Sequence, residues 1–200
     1  MMRRDFIVLA TLAIVGMAYA GTQPGKNGSA KGSVILVVGD SLSAEYGLAR
    51  GTGWVTLLEQ RLAQEKIPAT VVNASVSGDT TAGGRARLAA LLKLHQPTHV
   101  VLELGSNDAL RGLPLANTQD NLDWMTEQAQ AAGARVLLVG MQMPPNYGAD
   151  YGRRFASLFE AVAKERKAAL VPFLLKGVAD APNPRSEEHT SELQSRQCIS

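Results

Sequence analysis

The feature that most constrains this chain is a run of five apolar residues that ends in a small polar turn. Residues 34–38 have the sequence VILVV, and Gly39, Asp40 and Ser41 follow directly. An uninterrupted apolar run of this length is typical of a strand that is buried on both faces, as in a parallel sheet. Open α/β sheets carry their functional sites at the carboxyl ends of such strands. The hydroxyl of Ser41 is therefore predicted to lie at a functional edge.

Two later apolar runs end in turns of the same kind. Residues 71–74 lead into residues 75–79 (SVSGD), and residues 99–104 lead into residues 105–108 (GSND). Because the carboxyl ends of parallel strands share one edge of a sheet, we expect these two turns to lie beside the turn that carries Ser41.

The alternation of strand and helix signals predicts the fold class. Short loops between them favour right-handed crossovers, hence a three-layer α/β fold with helices on both faces. We expect a flavodoxin-like parallel sheet of five strands in the order 2-1-3-4-5, without the final helix that would cover the first strand. The predicted strands are residues 34–38, 70–73, 98–104, 135–140 and 169–173, and the predicted helices are residues 54–66, 81–95, 117–132 and 151–167.

The N-terminus has the layout of a secretory signal peptide. Arg3 and Arg4 precede the apolar residues 6–15, and Ala18-Tyr19-Ala20 forms a small-x-small cleavage pattern. We expect cleavage after Ala20, a periplasmic or secreted location, and no stable membrane anchor, because the apolar run is too short to span a bilayer. Residues 21–33 are rich in Gly and Ser and are predicted to form a flexible leader.

The C-terminal residues 185–200 do not continue the pattern of the domain. Their apolar residues are few and have no period, and the run RSEEHTSELQS resembles a translated adapter from a DNA sequencing library. We therefore expect the folded domain to span residues 34–184, to be incomplete at its C-terminus, and to be followed by a foreign, disordered tail. Cys198 is the only cysteine, so no disulfide is expected in the domain.

Charge gives no sign of a nucleic-acid partner. The net charge is +2, and the 20 basic residues are scattered without interleaved aromatic residues. The protein is expected to be a monomer.

The residues of the three turns suit acyl transfer at a serine. A serine hydroxyl needs a base to remove its proton, and the resulting oxyanion needs donors already in place. The backbone N–H groups of Ser41 and Gly78 and the neutral carboxamide of Asn107 can serve as such donors. Each residue alone is better explained by ordinary turn chemistry.

Taken together, the three blocks resemble the SGNH, or GDSL, hydrolase family. Residues 39–43 (GDSLS) match its first block, Gly78 its glycine block, and residues 105–108 its Gly-x-Asn-Asp block. The resemblance implies hydrolysis of small acyl esters and thioesters, of the arylesterase, thioesterase or lysophospholipase type. It also implies an acyl-enzyme on Ser41, an oxyanion hole of Ser41, Gly78 and Asn107, and no metal or cofactor.

The sequence departs from this family at its last block, Asp-x-x-His, which supplies the general base and the group that orients it. Neither His95, His99 nor His189 has Asp three residues before it, and position 186 is Ser. His95 is predicted to pack on a helix face, and His99 to lie at the far end of its strand. Asp180 has no histidine partner, so it is given no role. The chain as written is therefore expected to be nearly inactive.

Substrate-binding residues and two rival functions remain open at this level. Leu42, Val76, Leu110 and Leu113 would suit an apolar groove for an acyl chain, or would simply anchor loops. Trp54 and Trp124 are expected to pack helices against the sheet.

The two rival functions are a carbohydrate O-acetylesterase and a non-catalytic flavodoxin-like protein that binds an anionic ligand through backbone N–H groups. The acidic Asp40 argues against the second rival.

Overall fold

A computed structural model of the protein describes residues 32–177. The predictions for the signal peptide, the leader up to residue 31, and the C-terminal tail lie outside these residues. The strands are β1 (Ser33–Gly39), β2 (Ala69–Asn73), β3 (His99–Glu103), β4 (Arg135–Val139) and β5 (Ala169–Val171). The helices are α1 (Trp54–Gln64), α2 (Thr81–His95), α3 (Ser106–Leu110), α4 (Leu115–Ala131) and α5 (Ala149–Arg166), with a 3₁₀ turn at Pro145–Tyr147.

The sheet has the predicted topology. Its five strands are all parallel, and their order is β2-β1-β3-β4-β5. Gly39 at the end of β1 is the register partner of Glu103 at the end of β3, so the turns after these two strands are neighbours. Within residues 32–177, no helix is both long and apolar enough to cross a membrane.

Apolar side chains from the strands alternate between two cores, one on each face of the sheet. Leu36 and Val38 of β1 lie in the larger core, which also contains residues of α2, α4 and α5. Ile35 and Val37 point to the other face, where α1 packs on the sheet. Helices therefore cover both faces, as predicted from the uninterrupted apolar runs.

The helical spacing of Trp54, Leu57, Leu58 and Leu62 predicts the buried face of α1, and the observed face differs slightly. Leu58 and Leu62 are buried as expected, but Val55 is buried in place of Leu57, which is only half-buried. Both residues are apolar and lie two positions apart, so the sequence alone does not fix the rotation of this helix about its axis.

Several element boundaries also differ from the predictions. Helix α4 begins at Leu115 after Pro114, and not at residue 117 as predicted, because the fixed backbone of Pro114 suits the start of a helix. Strand β5 ends at Val171 because Pro172 has no N–H group to extend the ladder. Helix α3 was not predicted, since its five residues are too few to show a helical period.

Candidate active site

The turn after β1 is held by its own backbone and by Asp40. The carboxylate of Asp40 accepts a hydrogen bond from the N–H of Leu42 at 3.0 Å, and its carbonyl accepts one from the N–H of Ala44 at 2.9 Å. The carbonyl of Ser41 accepts from the N–H of Tyr46 at 3.1 Å. Ser41 is 8% exposed at the carboxyl edge of the sheet. This turn therefore presents a serine in a fixed backbone frame.

The loop after β2 docks directly on β1 and carries Gly78. The N–H groups of Ala74 and Val76 donate to the carbonyls of Val37 and Gly39, at 2.9 and 3.0 Å. Gly78 has φ +76°, which L side chains rarely adopt, and a Cβ placed there would approach only the guanidinium of Arg111, at 3.6 Å. Backbone conformation thus explains the glycine at this position.

Arg111 also links this loop to the end of α3. Its Nη2 donates a hydrogen bond to the carbonyl of Gly78 at 2.9 Å, at an exposed position. The sequence analysis gave Arg111 no role. The contact fixes the peptide plane that follows Gly78 and so restrains the glycine loop from the solvent side.

Asn107 joins the three loops. It is the second residue of α3 and is 7% exposed. Its Nδ2 donates one hydrogen bond to the carbonyl of Asp79 at 2.9 Å and another to the carboxylate of Asp40 at 3.1 Å. The residue before Ser41 and the residue after Gly78 are therefore bridged by one carboxamide, and the structure brings these three sequence-predicted residues to one place.

Asp108 anchors the same loops from within. It is 2% exposed, accepts from the N–H of Thr81 at 2.8 Å, and also accepts from the hydroxyls of Thr81 and Thr118. Because Thr81 begins α2 and Thr118 lies in α4, one carboxylate ties both helices to α3. Sequence reasoning missed this role, although Asp108 belongs to the GSND block that it had identified.

A second acid missed by sequence reasoning, Glu103, lies beneath the turn after β1. It is fully buried, and its Oε2 accepts a hydrogen bond from the hydroxyl of Ser43 at 2.7 Å. The signal was present in the sequence as an acidic residue inside the apolar run 99–104. An acid at such a position costs folding free energy, which is itself a sign of function.

Burial perturbs both acids in the same direction. Burial raises the pKa of Asp40 to about 6. The hydrogen bond from the N–H of Leu42 acts in the opposite direction but is the smaller effect. Burial and the neighbouring charge of Asp40 raise the pKa of Glu103 well above its ordinary value. The edge of the sheet that holds Ser41 is thus an acidic and poorly hydrated environment.

The four apolar residues predicted to bind substrate divide into two pairs. Leu42 and Leu110 are half-buried, and Leu42 packs against the α1 core, as an anchoring residue would. Val76 and Leu113 are 51% and 40% exposed, so their side chains are available to a ligand. Both tryptophans pack against the cores, as expected: Trp54 on the α1 side and Trp124 on the other.

The described residues place no histidine at the carboxyl edge. His95 ends α2 and His99 begins β3, so both lie at the amino edge of the sheet. Asp180 and His189 lie outside residues 32–177. In the same range, no group of three or more His, Cys, Asp or Glu side chains could hold a metal ion.

The chain is similar to known esterases in sequence and in fold. The model of the GDSL-like lipase/acylhydrolase family matches residues 37–194. "Esterase TesA" of Pseudomonas aeruginosa is 55% identical over 149 residues, which cover 74% of each chain. "Thioesterase 1/protease 1/lysophospholipase L1" of Escherichia coli K12 is 42% identical over 150 residues, covering 75% of this chain and 71% of that protein. The crystal structure of TesA superimposes with a TM-score of 0.73 at 54% identity, covering 76% of this chain and 84% of that one.

Proposed function

This chain belongs to the GDSL-like lipase/acylhydrolase family, and from that premise we propose that it cleaves acyl esters and thioesters through an acyl-enzyme on Ser41. The observation that carries the proposal is the bridge made by Asn107. One carboxamide contacts both the residue before the proposed nucleophile and the residue after Gly78. A carbonyl group bound at Ser41 would then lie within reach of donors from all three loops.

In the proposed reaction, Ser41 Oγ attacks the carbonyl carbon and its proton passes to a base. The negative charge that develops on the carbonyl oxygen is stabilised by the N–H groups of Ser41 and Gly78 and by Asn107 Nδ2. The alcohol or thiol departs with a proton, and water then hydrolyses the acyl-serine. No step of this route requires a metal or an organic cofactor.

Asn107 must exchange a hydrogen bond to take part. Both hydrogens of its Nδ2 are already donated, one to Asp79 and one to Asp40. The bond to Asp40 is the longer one, at 3.1 Å, and it is the bond that an oxyanion would replace. Hydrogen bonds of this kind commonly tighten only when the reacting group is present. Asp40 would hold the carboxamide in orientation until then.

We also propose that the chain as written reacts slowly because it lacks the Asp-x-x-His that would position a base. The sequence contains no Asp-x-x-His, and His95 and His99 lie at the wrong edge. Donors and binding alone sustain a residual rate of about 10³ to 10⁴ over water when a triad is broken. The family match runs to residue 194, so the genomic reading frame after Pro184 must decide whether the natural chain continues differently.

Hydrolysis of a p-nitrophenyl ester tests both parts of this proposal. The chain as written should release p-nitrophenol slowly, and added imidazole should accelerate the release by supplying the missing base. Ser41→Ala should abolish the enzymatic part of both rates, which separates it from hydrolysis by imidazole itself. Equal rates for the parent and Ser41→Ala at every imidazole concentration would refute Ser41 as the nucleophile.

For the substrate class, we propose acyl groups that extend past Val76 and Leu113. These exposed apolar side chains flank the glycine loop and the end of α3. Comparison of p-nitrophenyl acetate with longer acyl esters tests this, since an apolar contact should lower KM as the chain lengthens. Replacing Val76 by Ser should reduce that gain, and an unchanged KM series would contradict the proposal.

We further propose that the protein is exported and that residues 1–20 are removed. The proposal rests on the order of basic, apolar and small residues in this segment. The mass of the protein recovered from the periplasmic or extracellular fraction should correspond to an N-terminus at Gly21. Recovery of the uncleaved chain from the cytoplasm would contradict it.

A further inference from the structure

Glu103 lies directly under the turn that carries Ser41. Its register partner in the sheet is Gly39, and its side chain is 0% exposed. A Cβ added to Gly39 would lie 2.9 Å from Glu103 Oε2 and 2.5 Å from Ser43 Oγ. Only a residue without a side chain therefore lets the turn close onto this carboxyl group.

The carboxyl group holds the turn through hydrogen bonds to both of its ends. Glu103 Oε2 accepts from the hydroxyl of Ser43 at 2.7 Å and from the N–H of Asp40 at 3.4 Å. The hydroxyl of Ser43 in turn accepts a hydrogen bond from the indole N–H of Trp54 at 3.2 Å. The backbone carbonyl of Ser43 accepts one from Asn73 Nδ2 at 2.8 Å. Hydrogen bonds to residues of β3, β2 and α1 thus hold residues 40–43 in place on their buried side.

The surroundings of Glu103 favour its neutral form. The ion pairs found within residues 32–177 involve other acids, and Glu103 Oε1 is buried without a hydrogen-bond partner there. A buried carboxylate without a counter-ion is strongly disfavoured. The charges that act on the adjoining Asp40 are those of Asp79 and Asp108, both acidic, and the cation beside Asp79 is paired with it. Helix α1 contributes the uncharged Trp54, and β4 ends at the apolar Val139.

We propose that Glu103 is a positioning residue, a neutral carboxylic acid that holds the turn of residues 40–43 and thereby sets the position of Ser41. Its burial and the charge of Asp40 keep the pKa of Glu103 well above its ordinary value, in agreement with this assignment. The inference rests on the proposed function only where it takes Ser41 to be the nucleophile. The protonation state of Glu103 and its hold on the turn are independent of any reaction.

Infrared spectroscopy tests the protonation state directly. Protein labelled with ¹³C in the glutamate carboxyl groups should show the carbonyl stretch of a protonated acid at neutral pH. That band should be missing in Glu103→Gln and retained in Glu59→Gln, which changes an exposed glutamate of α1. Absence of the band in the parent, or its persistence in Glu103→Gln, would overturn the proposal.

The hold on the turn is tested by amide hydrogen exchange and by the reactivity of Ser41 towards a small activated phosphonate ester. Glu103→Ala should speed exchange at residues 40–43 and slow phosphonylation about tenfold or more, since small displacements of a reacting group have large effects. Glu103→Gln keeps an oxygen that can accept from Ser43, so it should restore both properties. Equal behaviour of the Ala and Gln variants would refute positioning by this hydrogen bond.

Two further measurements keep the outcomes distinct. Should Glu103→Ala fail to fold, Ser43→Ala removes the 2.7 Å hydrogen bond to Glu103, together with the longer one from Trp54, and should speed exchange at the same residues. A parent protein whose Ser41 never reacts with the phosphonate would refute the proposed function. In that event, the infrared band and the exchange rates of the Gln and Ala variants still decide the role of Glu103.

Discussion

The two edges of the sheet are built from the same five strands but bury very different side chains. At the carboxyl edge, Asp40, Glu103 and Asp108 are all buried, together with Asn107. Among the described residues at the amino edge, the buried ionisable side chain is His99. Buried acids oppose folding, so their concentration at one edge indicates that function, and not stability, selects them there.

The same difference gives the two edges opposite responses to pH. Acids whose pKa is raised in the folded state stabilise the fold at low pH and lose that contribution as pH rises. A histidine whose pKa is lowered stabilises the fold at high pH and loses it as pH falls. The carboxyl edge is therefore the alkaline-sensitive part of the molecule and the amino edge the acid-sensitive part.

The largest expected effect comes from Asp108, which is buried at the carboxyl edge and ties α2 and α4 to α3. Replacing it by Ala leaves the N–H of Thr81 and two threonine hydroxyls without their acceptor, and should lower the free energy of unfolding by about 3–5 kcal/mol. Urea denaturation measures this. Asp120→Ala, at an exposed position of α4, is the matched control and should change stability little.

Asp40 gives the next largest effect, and it depends on pH. Its folded pKa of about 6 lies above its ordinary value of 3.8, so its stabilising contribution is complete below pH 3.8 and is lost as pH rises through 6. As pH rises across this window, the free energy of unfolding of the parent should fall by up to about 3 kcal/mol relative to that of Asp40→Asn. Urea denaturation of both proteins measures this difference. The same difference in unfolding free energy at pH 4 and at pH 7 would contradict the assigned pKa direction.

His99 should show a smaller effect of the opposite sign. Burial, and to a lesser degree the charge of Arg135, lowers the pKa of His99. Its contribution to stability should therefore be present above pH 6.5 and be lost as pH falls through the folded pKa. Imidazole proton shifts in NMR spectra should place its midpoint below 6.5. A midpoint above 6.5 would remove the contrast between the two edges.

Arg111 should have the smallest effect on stability. Its hydrogen bond to the carbonyl of Gly78 is exposed, so Arg111→Ala should cost less than about 1 kcal/mol. The local consequence should be larger than the global one, with faster amide exchange near Gly78. Lys164→Ala, an exposed change in α5, should alter neither quantity. A large loss of global stability in Arg111→Ala would mean that the glycine loop is part of the core.

The sheet order and the approach of three turns could be predicted because both depend on local patterns. Apolar runs such as residues 34–38 identify buried strands, and parallel topology then brings their carboxyl ends together. Ser41, Gly78 and Asn107 follow three such runs, so their proximity required no knowledge of side-chain contacts. The confirmed strand order and family membership rest on this reasoning.

The roles of Glu103, Asp108 and Arg111 could not be predicted in the same way. Each depends on partners more than 20 residues distant in the chain, such as Ser43 for Glu103 and Thr81 for Asp108. Their contacts follow from how α2, α3 and α4 pack, which periodicity does not specify. The rotation of α1, which buries Val55 in place of Leu57, is a further example.

The central claim is that donors from three separate loops converge on the hydroxyl of Ser41. A crystal structure of the protein after prolonged reaction with a small activated phosphonate ester tests it most directly. The account predicts a phosphorus–oxygen bond to Ser41 Oγ, with one phosphonyl oxygen within hydrogen-bond distance of the N–H groups of Ser41 and Gly78 and of Asn107 Nδ2. An unmodified Ser41, or an adduct whose oxygen points away from Gly78 and Asn107, would contradict it.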